Sequence, residues 1–517
     1  MLYQSSFEQK LLMLAIIFLP INAFRFNLPL VGVVISKLFI LCGIGIYIYK
    51  VLTKKIVLDD FEKLCWYYLL VYFLWQCLCT IIGIYEYEYC NMLCLEQMDK
   101  LRFLMEDFRV FGWNINDIAA IKIWTGLRFI FNVCLPSTLF TYGITVWIYH
   151  IYNVVQRNSE KVSLIFTHIV LSIGLLCILL ISYSSFEIGY LRGSQFCADF
   201  LVKVNPLLYN VAGNHGWWPP LLWKNQLRSL FPEPSFFGIV STLIVPFLFY
   251  GVLKFEKKFF LIVYSIFTVM LFMTKARTAL ILFILQNILL LSYVFISNPY
   301  YIKKSLNVFF ASIVSFFVAL YLMSGFKVLS IDSNNTSFQG VSSIVSGYIN
   351  DNVISVIGNK RSNGARLANV RATFLTGVQH PLWGVGRALS DLYIVNNFTE
   401  EDLATHEVKH WFDLLHQKGA LQYFIPVLNQ LISEMAQLGI PGLILYLLPI
   451  FLIFYKLLPM LKLGLSIEMG CISIAYIGSL LAMFSNSAFL SYYILTGLMF
   501  SLLHNGWKGE TKNYEVS

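Results

Sequence analysis

Glu233 stands at the mouth of a long apolar run, in the stretch RSLFPEPSFFGIVSTLIVPF from Arg228 to Phe247. Proline suits the first turn of a helix, where its missing N–H has no partner to lose. A carboxylate beside that turn is favoured by the helix dipole. A helix start therefore accounts for Glu233-Pro234-Ser235, but a carboxylate held there is also able to take a proton from a hydroxyl. Arg277, in FMTKARTALILF, opens a second apolar run. A lone interfacial arginine is often a snorkelling anchor. The same guanidinium binds phosphate through two parallel hydrogen bonds, which lysine does not match. Arg366 and Arg371 lie in RLANVRATFLTGVQHPLWGVGRAL. Residues 366–379 are expected to form a helix that breaks at His380-Pro381, with Gly384 and Gly386 marking a turn. An amphipathic helix on a lipid surface explains these arginines without catalysis, and His380, ahead of a proline, suits a structural role as well as a substrate contact.

A competing chemistry lies in HEVKHWFDLLH. On a helix, His406 and His410 sit one turn apart and can share Zn²⁺, with Glu407 as base. His416 has the spacing of a third ligand. Asp413, however, stands where that pattern needs a glycine to turn the chain. If the helix continues, His416 is rotated about 240° from His410. The alternatives are an amphipathic helix packing Trp411, Phe412, Leu414 and Leu415, or histidines that touch a substrate.

The elements that position these residues are apolar helices. The chain is 58% hydrophobic and 13% charged, and its apolar runs suggest about twelve membrane spans. They fall near 11–24, 28–48, 64–84, 121–150, 162–183, 234–253, 259–273, 278–298, 305–324, 438–455, 465–484 and 488–504. The formal charge of +9 is no nucleic-acid signature, because the basic residues sit in short loops. Lys50, Lys54, Lys55 and Lys63, then Arg157 and Lys161, then Lys254, Lys257 and Lys258 fall on one side. Lys303, Lys304, Lys456, Lys462, Lys508 and Lys512 join them. The short loops opposite hold only Arg25, Lys275 and Arg277. The positive-inside rule then puts both termini in the cytoplasm.

Three long segments face outward in this topology: 85–120, 184–233 and 325–437. The chain divides into an N-terminal membrane region, 1–324, an outer loop, 325–437, and a C-terminal membrane region with a tail, 438–517. Of ten cysteines, most lie in apolar runs, where Cys acts as a small hydrophobe. Cys90, Cys94 and Cys197 lie in outer loops, where a disulfide is open but its pairing unreadable. A transporter would need charges buried mid-span, and the nearest, His168 and Glu187, can sit near a helix end.

Arg277 in ARTA, then RLANVRATFLTGVQHPLWGVG, then LGIPGLIL, with EPS ahead of them, occur in an order that resembles the bacterial O-antigen polymerase and O-antigen ligase superfamily. The resemblance spans roughly residues 230–455. It implies an all-α, polytopic, GT-C-like fold with a large periplasmic loop. It also implies an inner-membrane glycosyltransferase that moves a glycan from undecaprenyl pyrophosphate onto a lipid-linked repeat unit. The expected site is Glu233 as base, with Arg277 and Arg366 on the pyrophosphate and Arg371 as a third cation. His406, His410 and His416 are alternative bases, and His380, His406 and His416 are substrate contacts. No metal or cofactor is implied; a chain-length regulator is an implied partner. In the ligases a catalytic His precedes the residue matched by Asn429, ten and thirteen positions ahead of the glycines matched by Gly439 and Gly442. Here that position is Leu428. The departure favours polymerase over ligase, with a membrane zinc protease as the remaining alternative.

Overall fold

The computed structural model describes residues 6–28, 30–86, 103, 106–107, 109–112, 117–153, 159–209, 226–255, 258–324, 361–420, 423–463 and 465–510. Cys90 and Cys94 lie outside the described residues, as do Arg157, Lys257, Lys512 and the stretches 87–102, 210–225 and 325–360. Cys197 is described, and its thiol is free.

Among the described residues the chain is helical, without strands beyond the isolated bridges Phe24 to Tyr209 and Leu28 to Gly32. Eight helices among the described residues are long and apolar enough to cross a membrane: Ile35–Leu52, Asp60–Glu86, Ile121–Asn153, Val162–Leu191, Pro234–Lys254, Arg277–Ser297, Pro299–Ser324 and Gln430–Leu461. Lys258–Met273, Ile467–Ala482 and Leu490–Leu503 are apolar but shorter. The span expected at 11–24 is instead a helix of 11 residues, Phe7–Ile17, opened by a reciprocal Ser6–Gln9 capping box. Turns through Phe18 and Pro20 end it. The long run at 121–150 is one bent span. Wider helical turns at Ile130–Cys134 and Leu139–Gly143 flank Pro136, and Thr141 leaves helical geometry (φ −110°, ψ −105°). A proline removes a backbone donor and loosens a helix in this way.

The apolar helices share one large core, with Trp147, Tyr72, Tyr142, Tyr264 and Tyr446 fully buried. A second core lies under the helices Arg361–Gln379 and His406–Lys418. Ala365, Ala368 and Ala372 recur at helical spacing on one face, where small side chains admit Val408, Trp411 and Leu415. Ile84 and Phe129, from the ends of two spans, complete that core. The described residues of 361–420 and 423–429 thus form a cap on one end of the bundle.

The cap is clasped to the spans by two interlocking turns. Val385 and Gly386 donate to Ala436 O and Gln437 O at 2.9 Å each, and Ile440 donates to Pro381 O at 2.7 Å. The long Gln430–Leu463 helix is interrupted at Gly439 (φ 69°, ψ −175°), where the sequence places a helix end. That conformation is nearly closed to other residues. Trp383 stacks on Trp75, ring centres 5.2 Å apart.

Other basic residues sit at helix ends away from the cap. Lys50 pairs with Glu8, Lys63 with Asp60, and Lys254 with Glu468, while Lys304 donates to Leu253 O at 2.9 Å. The buried His150–Glu62 contact, 2.7 Å, lies there too.

Candidate active site

Glu233 precedes the Pro234–Lys254 helix in extended backbone (φ −133°, ψ 149°), and its side chain caps no backbone N–H. The helix-start reading therefore explains Pro234 at the first turn but not the carboxylate. Glu233 Oε2 instead accepts from Ser235 Oγ at 3.1 Å. The preceding segment is pinned from behind. The Glu187 carboxylate accepts from the backbone N–H of Arg228 at 3.1 Å and of Ser229 at 2.7 Å. Leu227 N donates to Met273 O at 3.0 Å, joining this segment to the turn before Arg277.

Arg277 begins its helix beside the first. A Cβ on Gly238 would lie 2.2 Å from Ala279 Cβ, so the absence of a side chain there lets the two helix starts approach. A cation at a helix N-terminus is electrostatically unfavourable, so the helix dipole alone does not account for Arg277.

Arg366 reaches the same place from the cap. Its burial pulls the guanidinium below its ordinary pKa; the Glu407 and Glu233 carboxylates oppose this, and the Arg277 charge adds to it. Guanidinium stays protonated under any ordinary condition. Glu407 is raised by desolvation, lowered by Arg366 and raised again by Glu233. Two carboxylates and two guanidinium groups, drawn from four separate stretches of chain, therefore feel one another at one site. Arg366 Nη1 donates to Ser485 O at 3.2 Å, its one hydrogen bond among the described residues.

Other expected site residues are elsewhere. Arg371 is exposed and bonds Asp402 and Thr399, the pair that caps the short Glu400–Leu403 helix. His380 packs edge-on against Tyr393 at 5.1 Å. His406 and His410 stack in parallel, ring centres 6.4 Å apart, on the exposed side of a helix that buries Val408, Trp411 and Leu415. That helix runs on through Lys418, and His416 Nδ1 donates to Phe412 O at 2.8 Å. Among the described residues no group of three or more His, Cys, Asp or Glu is placed to hold a metal ion.

Two residues with obvious polar chemistry were missed in the sequence. Arg387 and Glu434 are both buried. Arg387 Nε donates to Gln76 Oε1 (2.9 Å), Nη1 to Glu434 Oε1 (3.0 Å) and Gln437 Oε1 (2.7 Å), and Nη2 to Glu434 Oε2 (2.8 Å) and Tyr72 Oη (2.9 Å). A guanidinium has five N–H donors, and all are used. Arg387 holds the clasp together and has nothing left for substrate. The signal was its place directly after Gly384-Val385-Gly386.

Asp391 is buried, its carboxyl pushed up to about 7 by desolvation, with Ile425 N donating to Oδ2 at 3.1 Å. It lines a cavity of about 10 Å³ with Asn369, Thr373, Leu428, Asn429 and Ser433, room for about one water. Leu428, at the position of the ligase histidine, thus borders a water-sized void.

No curated protein and no solved structure matches this chain. The stretch that carries Arg277, Arg366, the Gly384–Gly386 turn, Glu407 and Glu434 is a different matter, although Glu233 lies ahead of it. Residues 259–447 match the family model described as O-antigen ligase, and over that stretch the chain is similar to that family.

Proposed function

We propose that this membrane protein is a polymerase of O-antigen or capsular polysaccharide, working at the periplasmic face of the inner membrane. The observation that carries the reading is the convergence of Arg277 and Arg366 with Glu233 and Glu407 where the cap meets two helix starts. The donor is a glycan on undecaprenyl pyrophosphate, and the acceptor is a sugar hydroxyl of a second lipid-linked unit. The acceptor oxygen bonds to the anomeric carbon as the bond from that carbon to the pyrophosphate oxygen breaks. The electron pair leaves with the pyrophosphate, and the acceptor proton passes to Glu233. Two cations at this site stabilise the developing charge, worth roughly 10²–10³ in rate for each such group. The lysines at the short loops away from the cap support a cap on the outer side. Leu428 carries no titratable group, which favours polymerase over ligase.

The test is a gel of surface glycan from a deletion strain complemented with wild type, Arg277→Ala, Arg366→Ala or Glu233→Gln, with membrane levels matched. Deletion is expected to leave core bearing a single repeat unit, and the arginine variants are expected not to restore the ladder. An intact ladder in the deletion strain sinks the polymerase reading; glycan left wholly on its lipid carrier replaces it with ligase.

A further inference from the structure

Asn486 is 8% exposed, and its Nδ2 has no hydrogen-bond partner among the described residues. It lies in the turn between the Ile467–Ala482 and Leu490–Glu510 helices. That turn is one wall of the site. Ser485, its neighbour, accepts the Arg366 guanidinium at 3.2 Å. Phe489, three residues on, packs edge-on against Phe236 at 5.1 Å, and Phe236 follows Glu233-Pro234-Ser235 directly. The turn is also fixed from the cap side. Asn429 Nδ2 donates to Phe484 O at 3.4 Å, Gln430 N to Met483 O at 2.9 Å, and Ala488 N to Gln430 Oε1 at 3.0 Å.

A turn held at so many points has little freedom to swing its side chains toward new partners. A buried amide donor without an acceptor is unfavourable, and nearly all buried polar groups in folded proteins are paired. A ligand bound beside Arg366 can supply that acceptor. Next to Arg366, that acceptor is an oxygen of the group the guanidinium neutralises. We propose that the Asn486 amide is a substrate-binding donor to a diphosphate oxygen of the donor lipid. This inference rests on the polymerase reading of the site. A neutral donor fixed beside two cations supplies direction where the arginines supply charge.

The experiment uses the full chain, purified in detergent, as wild type, Asn486→Leu, Asn486→Ala and Arg277→Ala. Each is titrated with undecaprenyl pyrophosphate, with undecaprenyl monophosphate as control, and both the ligand-free Tm and the affinity are read. Asn486→Leu is expected to keep or raise the ligand-free Tm, since it removes an unpaired donor. Its affinity for the diphosphate is expected to fall about tenfold, with Asn486→Ala weakened similarly. Unchanged affinity in both Asn486 variants, with Arg277→Ala weakened, overturns the role of Asn486 and leaves the site intact. A lowered ligand-free Tm with unchanged affinity overturns it in favour of a purely structural amide. If the wild type does not prefer the diphosphate and Arg277→Ala changes nothing, the reading of the site itself fails and takes the inference with it.

Discussion

Arg387 and Glu434 meet through two near-parallel hydrogen bonds, 3.0 and 2.8 Å, with side-chain exposures of 7% and 3%. They join the turn of the cap to the helix that carries Gly439. Removing one partner of a buried pair strands the other charge, at about 3–5 kcal/mol. Arg387→Ala is expected to lower Tm in detergent and membrane yield sharply, with loss of glycan following from lost protein. A variant with wild-type Tm but no activity would instead make Arg387 a substrate ligand.

Gly439 has φ 69° and ψ −175°, and a Cβ there would stand 2.4 Å from Leu382 O. Gly439→Ala therefore strains the backbone and pushes the two turns apart, with an expected loss of about 1–3 kcal/mol. Thermal unfolding of the purified variant checks this. Gly45, where an added Cβ meets nothing within 4 Å, is the control position: Gly45→Ala is expected to leave Tm essentially unchanged.

Arg277→Ala removes a cation from the positive end of a helix, so its fold is expected to be at least as stable as wild type. Its glycan transfer rate is expected to fall by roughly 10²–10³. Arg277→Lys keeps the charge but loses the bidentate fork and is expected to recover only part of the rate. Equal loss of rate and of Tm in Arg277→Ala would return this residue to the role of anchor.

The helices were legible because long apolar runs leave few alternatives, and the break at His380-Pro381 and the kink at Gly439 followed from proline and glycine chemistry. The count of spans was less legible. A span needs about twenty apolar residues, and Phe7–Ile17 supplies a helix of 11 before turning at Phe18 and Pro20. Arg277, Arg366 and Glu233 could be singled out from local phrases; that they meet depends on the Gly238–Ala279 contact, which no local pattern encodes. Glu407 was read as part of a zinc motif because its spacing to His406 and His410 is visible in one dimension, whereas its approach to Arg366 is not. Arg387 and Glu434 are 47 residues apart, and nothing between them announces a pair.

Asp391 offers a pH signature of the cap. Its folded-state value, about 7, lies above the ordinary aspartate value of 3.8. The folded chain therefore holds this proton more tightly than the unfolded chain does. The stabilising contribution is complete below about pH 4 and is lost as pH rises through 7. Asp391→Asn keeps an oxygen for Ile425 N–H and has no proton to lose. It is expected to flatten the pH dependence of Tm between pH 4 and 8 and to exceed wild type in stability at pH 8. Parallel Tm curves for the two proteins would show that Asp391 stays ionised in the fold.

Glu233 and Glu407 share the neighbourhood of Arg366, and their variants separate base from bystander. Glu407 is raised by desolvation first and by the Glu233 charge as well, with Arg366 pulling the other way. As pH falls it takes up a proton ahead of an ordinary glutamate, and Arg366 loses a counter-ion. The acid limb of the wild-type transfer rate is therefore expected above the ordinary glutamate range. In Glu407→Gln that limb is expected to move to lower pH, with a modest loss of rate at neutral pH. Glu233→Gln is expected to lose about 10²–10⁴ at every pH, the span typical of removing a general base. The check is the rate against pH with a lipid diphosphate donor, for wild type and both variants. A larger loss in Glu407→Gln than in Glu233→Gln would exchange their roles, and the proton would then leave the acceptor toward the cap rather than toward the membrane.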